Sequence, residues 1–221
     1  MYLIIKRLNS MKTLAEKIYL ILEDKIAKLE FKPGTFLTEN FLERELNCGR
    51  TPVREAIQRL SREGLIKVLP RKGLIITEIN INDQLNLIQV RREIERLLAK
   101  LAAKNCTSKQ KNKFKEISKA MRLCKKNDNT KFMKLDKEMN DLIANSCQNE
   151  FVVRCIRNVA GLSRRFWYYI NERNLDDLQT MAKLHADLCD AIYDKNIKLS
   201  QSRSDKLIDY IEKFTKNSIQ S

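Results

Sequence analysis

Residues 31–77 read FKPGTFLTENFLERELNCGRTPVREAIQRLSREGLIKVLPRKGLIIT, and the punctuation of this stretch sets the architecture. Pro33-Gly34 joins the two strongest helix breakers. A helix is predicted to start after Thr38 and run to about Leu46, with Phe41, Leu42 and Leu46 apolar, and Asn47-Cys48-Gly49 is a turn. A third helix opens at Thr51-Pro52, because Thr caps helix N-termini and Pro suits the first helical position. It carries one apolar stripe of Val53, Ala56, Ile57 and Leu60 and stops at Gly64, a residue free to adopt the left-handed conformation of a helix terminator. Two short apolar runs, 65–69 and 74–77, flank Pro70-Arg71-Lys72-Gly73 and predict a β-hairpin. Upstream, residues 13–30 place Leu14, Ile18, Leu22, Ile26 and Leu29 on one helical face, with Thr13 as N-cap. Three helices followed by a hairpin is the order of a winged helix-turn-helix.

Beyond a short linker at 79–82, only helical periodicity is present. Helices are predicted over about 83–104, 107–127, 130–146, 150–172, 175–194 and 197–218. The breaks are Asn105-Cys106, Asn127-Asp128-Asn129, Gln148-Asn149, Arg173-Asn174 and Lys195-Asn196, residue types that cap helices and build turns. The fold class is therefore mainly α: an N-terminal winged helix-turn-helix over 1–78, then an antiparallel bundle of about six helices over 83–221. Five Gly and three Pro in 221 residues argue against a β-rich fold, which needs many tight turns.

The formal net charge is +15, which suits a polyanionic partner. Residues 1–82 hold 15 basic and 10 acidic side chains, so the excess is not concentrated in the winged helix. The DNA argument rests on motif instead. The six cysteines (48, 106, 124, 147, 155, 189) form no CxxC pair and read as reduced core thiols of a cytoplasmic protein. The apolar residues 2–5 are too few for a secretory signal, and no run approaches a membrane span, so no membrane partner is expected. With one histidine, no Gly-rich phosphate loop and no nucleophile elbow, an enzyme is not expected.

Arg50, Thr51 and Arg54 cluster at the start of the third helix, the end a recognition helix turns toward base edges. Arg pairs in two-pronged fashion with guanine, and Thr donates to phosphate. Arg71, Lys72 and Gly73 form the wing tip, within reach of the minor groove or backbone. Each arginine alone reads as a solvated side chain. Together they crowd a helix N-terminus, where the macrodipole disfavours cations, and an anionic partner removes that conflict.

This stretch closely resembles the GntR family of bacterial regulators. The carrying pieces are Pro33-Gly34, Leu42 and Leu46, Arg50-Thr51-Pro52-Val53-Arg54-Glu55-Ala56, then Leu60 to Leu65, and Gly73. The resemblance implies DNA contacts from Arg50 and Arg54, assisted by Thr51 and the wing. Gly49 departs from the usual Ser or Thr, and Phe41 stands where some members place a DNA-contacting Arg. The helical remainder is similar to the FadR-type effector domain, also called FCD, through Val90 to Glu95, Asp136, His185 and Ala191-Ile192. Many such relatives bind a divalent metal through an Asp and three His, and the metal holds a carboxylate effector. The matching positions here are Asp136, Asn140, His185 and Leu207, so no metal or other cofactor is expected. Cys189, one turn beyond His185, reads first as a core thiol, with a substitute ligand as the alternative. A pocket lined by Arg92, Asp136, Asn140, Arg164, Tyr168 and His185, with Arg165 and Tyr169 nearby, would grip a small organic acid. The resemblance implies a homodimer on double-stranded DNA, reading an inverted repeat and answering a small-molecule effector. The alternative is a ligand-independent or architectural DNA-binding protein.

Overall fold

Thr13 starts helix α1 (Leu14–Ala27) by accepting a hydrogen bond from the Glu16 amide, and Lys25 sits in its last turn, where the dipole favours a cation. The computed structural model describes residues 13–171 and 178–217. The apolar run at 2–5, the expected break at Arg173-Asn174, residues 175–177 of the following helix and residue 218 lie outside the described residues. Past α1 the chain forms strand β1 (Phe36–Leu37), helix α2 (Glu39–Leu46), helix α3 (Arg50–Arg62) and strands β2 (Ile66–Leu69) and β3 (Gly73–Ile76). The sheet is antiparallel in the order β1-β3-β2, with Leu69 opposite Gly73 and Leu37 opposite Leu74. The sequence reading misses β1, because two residues are too few for alternation to register.

Helices α4 (Ile81–Asn105), α5 (Ser108–Arg122), α6 (Asn129–Cys147), α7 (Glu150–Asn171), α8 (Leu178–Tyr193) and α9 (Ile197–Asn217) follow. The fold is thus a winged helix-turn-helix followed by a helical part. Among the described residues most of their boundaries lie near the Asn-rich breaks, but α5 ends at Arg122, short of the expected 127, and α4 begins at Ile81, inside the expected linker. Thr107 and Gln110 form a reciprocal capping box, Gln148 and Lys195 are left-handed, and the Asn196 side chain accepts from the Leu199 amide at 3.0 Å.

The described residues group into two compact units: 13–80 with 158–171, and 81–157 with 178–217. The first has its own core, in which Leu22, Ile26, Val53, Ala56, Ile57, Leu60, Leu65, Leu74 and Ile76 are all buried. In the second, α4 packs against α9 and α6, and α8 against α5 and α9. Its interior includes Phe114, Ile117, Met121, Met139 and Ile192. Cys106, Cys124, Cys147 and Cys189 are buried as expected, while Cys48 is half-buried and Cys155 is exposed.

Residues 158–171 group with the winged helix, although the sequence places all of 83–221 in a second domain. The reason is local chemistry that periodicity does not display. Gly161 lies so close to the winged-helix core that a Cβ there would stand 2.9 Å from both Glu23 Oε1 and Leu65 Cδ1. Arg164 pairs with the largely buried Glu23. Arg165 is buried and donates to the Thr77 carbonyl at 2.9 Å and the Thr77 hydroxyl at 3.0 Å, and burial pulls its pKa down to about 10.

Gly73 has φ +103°, and a Cβ there would lie 2.5 Å from the Leu37 carbonyl oxygen. Backbone strain and backbone collision add, and neither can relax into a side-chain rotamer. Gly73→Ala is expected to lower unfolding free energy by about 1–3 kcal/mol in urea denaturation. Gly49→Ser, at a position with nothing within 4 Å of the added Cβ, is expected to leave stability unchanged or raise it by about a few tenths of a kcal/mol.

Candidate nucleic-acid interface and bundle site

Helix α3 buries Val53, Ala56, Ile57 and Leu60, the predicted stripe, against the first-unit core. Its far end is fixed by a polar clamp. The Tyr19 hydroxyl donates to Glu63 Oε2 at 2.7 Å, Arg59 Nε donates to Glu63 Oε1 at 3.1 Å, and the Arg59 guanidinium lies 3.5 Å from the Tyr19 ring centroid. Burial raises the Glu63 carboxyl above its usual range, with Tyr19 and Arg59 opposing, and burial beside Glu63 likewise raises the Tyr19 hydroxyl. Arg59 is thereby committed to Glu63 and the Tyr19 ring, with its side chain still 37% exposed. The clamp fixes the roll of α3, and so decides which side chains face outward.

Outward at the N-terminal end stand Arg50, Thr51 and Arg54, all exposed. The helix begins at Arg50 with Gly49 as N-cap, two residues earlier than the Thr51-Pro52 signal suggests. Thr51 therefore sits inside the first turn and does not cap it. Gly49 supplies no side-chain cap, and the first turn holds no acid. The amide donors and positive dipole end of α3 share their surface with two guanidinium groups. At the wing, Arg71 and Lys72 are exposed, Arg71 has φ +63°, and the Lys72 amide donates to the Leu69 carbonyl at 3.0 Å. Gly73, predicted among the DNA contacts, has the conformational duty described above. Phe41 is half-exposed, with its ring edge-on to Phe31 at 6.4 Å between centroids.

Sequence reading passes over Glu39, which is the first residue of α2. Its Oε2 lies 3.4 Å from Arg50 Nε and its Oε1 lies 3.6 Å from Arg54 Nε. No spacing rule announces this triangle, because it depends on how α2 crosses α3.

The second unit brings three predicted residues together. His185 Nε2 is 3.1 Å from Asp136 Oδ1, the Asn140 amide donates to the same Oδ1 at 3.0 Å, and His185 Nδ1 is 2.8 Å from the Met181 carbonyl oxygen. The Phe132 ring stands edge-on to the imidazole at 5.2 Å. The other predicted effector residues are employed elsewhere. Arg92 donates to Asp209 at 2.6 Å and to Glu212 at 3.0 Å, joining α4 to α9. Arg164, Arg165, Tyr168 and Tyr169 belong to the part of α7 that groups with the winged helix, whereas Asp136, Asn140 and His185 belong to the second unit.

This arrangement does not fit a divalent metal. The Asn140 amide nitrogen has no lone pair to give and occupies Asp136 as a hydrogen-bond donor. Leu207 is buried and offers no ligand atom. Burial raises the Cys189 thiol far above its usual range, away from the thiolate a metal needs. Among the described residues no group of three or more His, Cys, Asp and Glu could hold an ion. Two ligands fall short of the three or four of a working site.

Two family models match successive parts of the sequence, and the second includes the 158–171 segment that groups spatially with the winged helix. The family described as bacterial regulatory proteins, gntR family, matches residues 14–76, and the FCD domain matches residues 86–209. The HTH-type transcriptional repressor RspR of Escherichia coli strain K12 is 25% identical over 187 residues, covering 84% of this chain and 82% of the relative. The Nta operon transcriptional regulator of Aminobacter aminovorans is 25% identical over 201 residues, covering 85% of this chain and 94% of the relative. Among solved structures, E. coli McbR/YncC has a TM-score of 0.78 at 18% identity, over 95% of this chain and 100% of that one, which is a likeness of fold.

Asp136 and His185 already stand at the spacing of two neighbouring metal ligands, about 3 Å for bonds near 2.1 Å. Asn140→His adds a third donor one helical turn from Asp136. The variant is expected to carry about one Zn²⁺ per chain through gel filtration, by elemental analysis, and to lose it when His185→Ala is added. The parent chain is expected to carry none.

Proposed function

This chain belongs to the gntR family of bacterial regulatory proteins and carries an FCD domain, and on that premise we propose that it is a sequence-specific, effector-responsive DNA-binding regulator. It binds an inverted-repeat operator as a homodimer, in the cytoplasm, and catalyses no reaction. Arg50, Thr51 and Arg54 read or position the major groove, while Arg71 and Lys72 at the wing contact backbone or minor groove. The observation that carries the reading is the exposed N-terminal end of α3. Two arginines, amide donors and a positive dipole end converge there with no acid in the turn, and the one carboxylate beside them, Glu39, is shared by both arginines. The surface therefore keeps a net positive charge that a phosphate backbone neutralises. Among the described residues no helix is long and apolar enough to cross a membrane.

The effector is a small metabolite bound in the FCD domain. A carboxylate ligand is the expectation from the family resemblance, but without a metal the Asp136 carboxylate repels such a group. A ligand that reaches Asp136 therefore presents a donor to it and keeps any carboxylate elsewhere. One observation favours the second reading, ligand-independent DNA binding. Asp136, Asn140 and His185 satisfy one another without any guest. A thermal-shift screen of amines, amino acids and carboxylates separates the two, since only a sensor is stabilised by a compound that also alters operator affinity.

Arg50→Ala and Arg54→Ala are each expected to weaken operator binding while circular dichroism stays unchanged, since both lie off the buried stripe. A lost guanine fork costs about 1–3 kcal/mol of base discrimination, and a lost phosphate contact weakens all sequences and flattens the salt slope by about one unit. Affinity of the unmodified chain is expected to fall steeply with salt, as counterions are released. Operator affinity that stays flat across a salt titration, or that is unchanged in both folded variants, refutes the reading.

A further inference from the structure

We infer that Glu39 is the positioning residue of the DNA-reading surface: its carboxylate holds Arg50 and Arg54 in the poses that discriminate bases. The inference rests on the DNA-binding reading above and adds to it a residue that need not touch DNA.

The geometry is specific. Each oxygen of Glu39 takes one arginine, Oε2 facing Arg50 at 3.4 Å and Oε1 facing Arg54 at 3.6 Å. Both approaches are closest at Nε, and a two-pronged contact with guanine can use the two terminal amino groups instead, so the two contacts draw on different nitrogens. The Glu39 side chain is 31% exposed, against 69% and 56% for the arginines, so the carboxylate is the fixed member and the cations are the mobile ones. Its own placement is secured from behind. Thr38 caps α2 by accepting from the Phe41 amide at 3.1 Å, Glu39 stands in the first turn where the dipole favours an acid, and Leu42 anchors the helix in the core.

As stability elements these exposed pairs are worth little. Their value lies in order. A free arginine side chain has many rotamers and loses them on forming a fork with a base, and a chain already held loses fewer. The carboxylate also carries a cost, because it places a negative charge on a surface that faces phosphates. The two effects have opposite signs, and they act on different DNA. Preorganisation matters where a base must be met at one position. Repulsion acts on any duplex.

The test uses the full chain and two duplexes: one enriched by the unmodified protein from a random pool, and one of scrambled sequence with the same length and composition. Glu39→Ala is expected to bind the enriched duplex about tenfold more weakly, the size of one lost two-pronged base contact, while binding the scrambled duplex slightly more tightly. Raising the salt should erase the gain on the scrambled duplex and preserve the lost discrimination. Glu39→Gln keeps the shape and a hydrogen-bonding oxygen, so it should fall between the two, and circular dichroism should match the parent for both variants. Tighter or unchanged binding to both duplexes makes Glu39 a plain repulsive charge and overturns the inference. Equal weakening on both makes it a structural residue and overturns it too. If the unmodified chain enriches no sequence, the DNA-binding reading itself fails and takes this inference with it.

Discussion

The outward face of α3 exists because its inward face is fully spent. Val53, Ala56, Ile57 and Leu60 are at most 3% exposed and lie in one apolar cluster with Leu22 and Ile26 of α1. A helix of thirteen residues can bury one such stripe and no more. The polar residues at its N-terminal end are thus compelled outward, and the Tyr19–Glu63–Arg59 clamp removes the remaining freedom of roll. Wing, turn and capping are arranged around that one fixed element.

The carboxylates show how a chain with a large cationic excess spends its charge. The buried Glu63 takes the half-buried Arg59, the largely buried Glu23 takes Arg164, and Glu39 takes Arg50 and Arg54 at the surface. In the helical unit Arg92 is held by Asp209 and Glu212, and Arg122 by Asp187 and Asp190. The pairs differ in solvent access, and so in consequence. The buried ones define which elements pack together, since breaking one leaves a stranded charge. The exposed ones orient side chains without adding much stability. Net charge therefore says little about where DNA is met.

In the bundle, a polar site has been closed upon itself. Asp136 receives the Asn140 amide and faces the imidazole of His185, and the imidazole meets the Met181 carbonyl on its other side. At two of the ligand positions that the family resemblance implies, this chain has an amide nitrogen that donates to Asp136 and a buried leucine. The substitution of chemistry is local and leaves the helical frame intact, because α6 and α8 are packed by their apolar faces and not by the polar trio.

Element order, helix limits and the buried stripe of α3 were legible in the sequence because each depends on near neighbours in the chain. Thr38 caps its helix through an amide only three residues on, Gly64 and Asn-rich breaks end helices by their own backbone freedom, and periodicity marks one face. Asp136 with Asn140 was legible for the same reason, one helical turn apart. The motif around Arg50 and Arg54 marked the exposed N-terminal end of α3, though the helix start falls two residues earlier than its Thr-Pro signal. What needed tertiary structure were the meetings between residues far apart in sequence: Glu39 with two arginines, Arg164 with Glu23, and Arg165 with the Thr77 backbone. An arginine looks the same in sequence whether it will face solvent, a ligand or a buried glutamate. Its partner is chosen by the crossing of helices, and that crossing is decided by how whole apolar faces fit together.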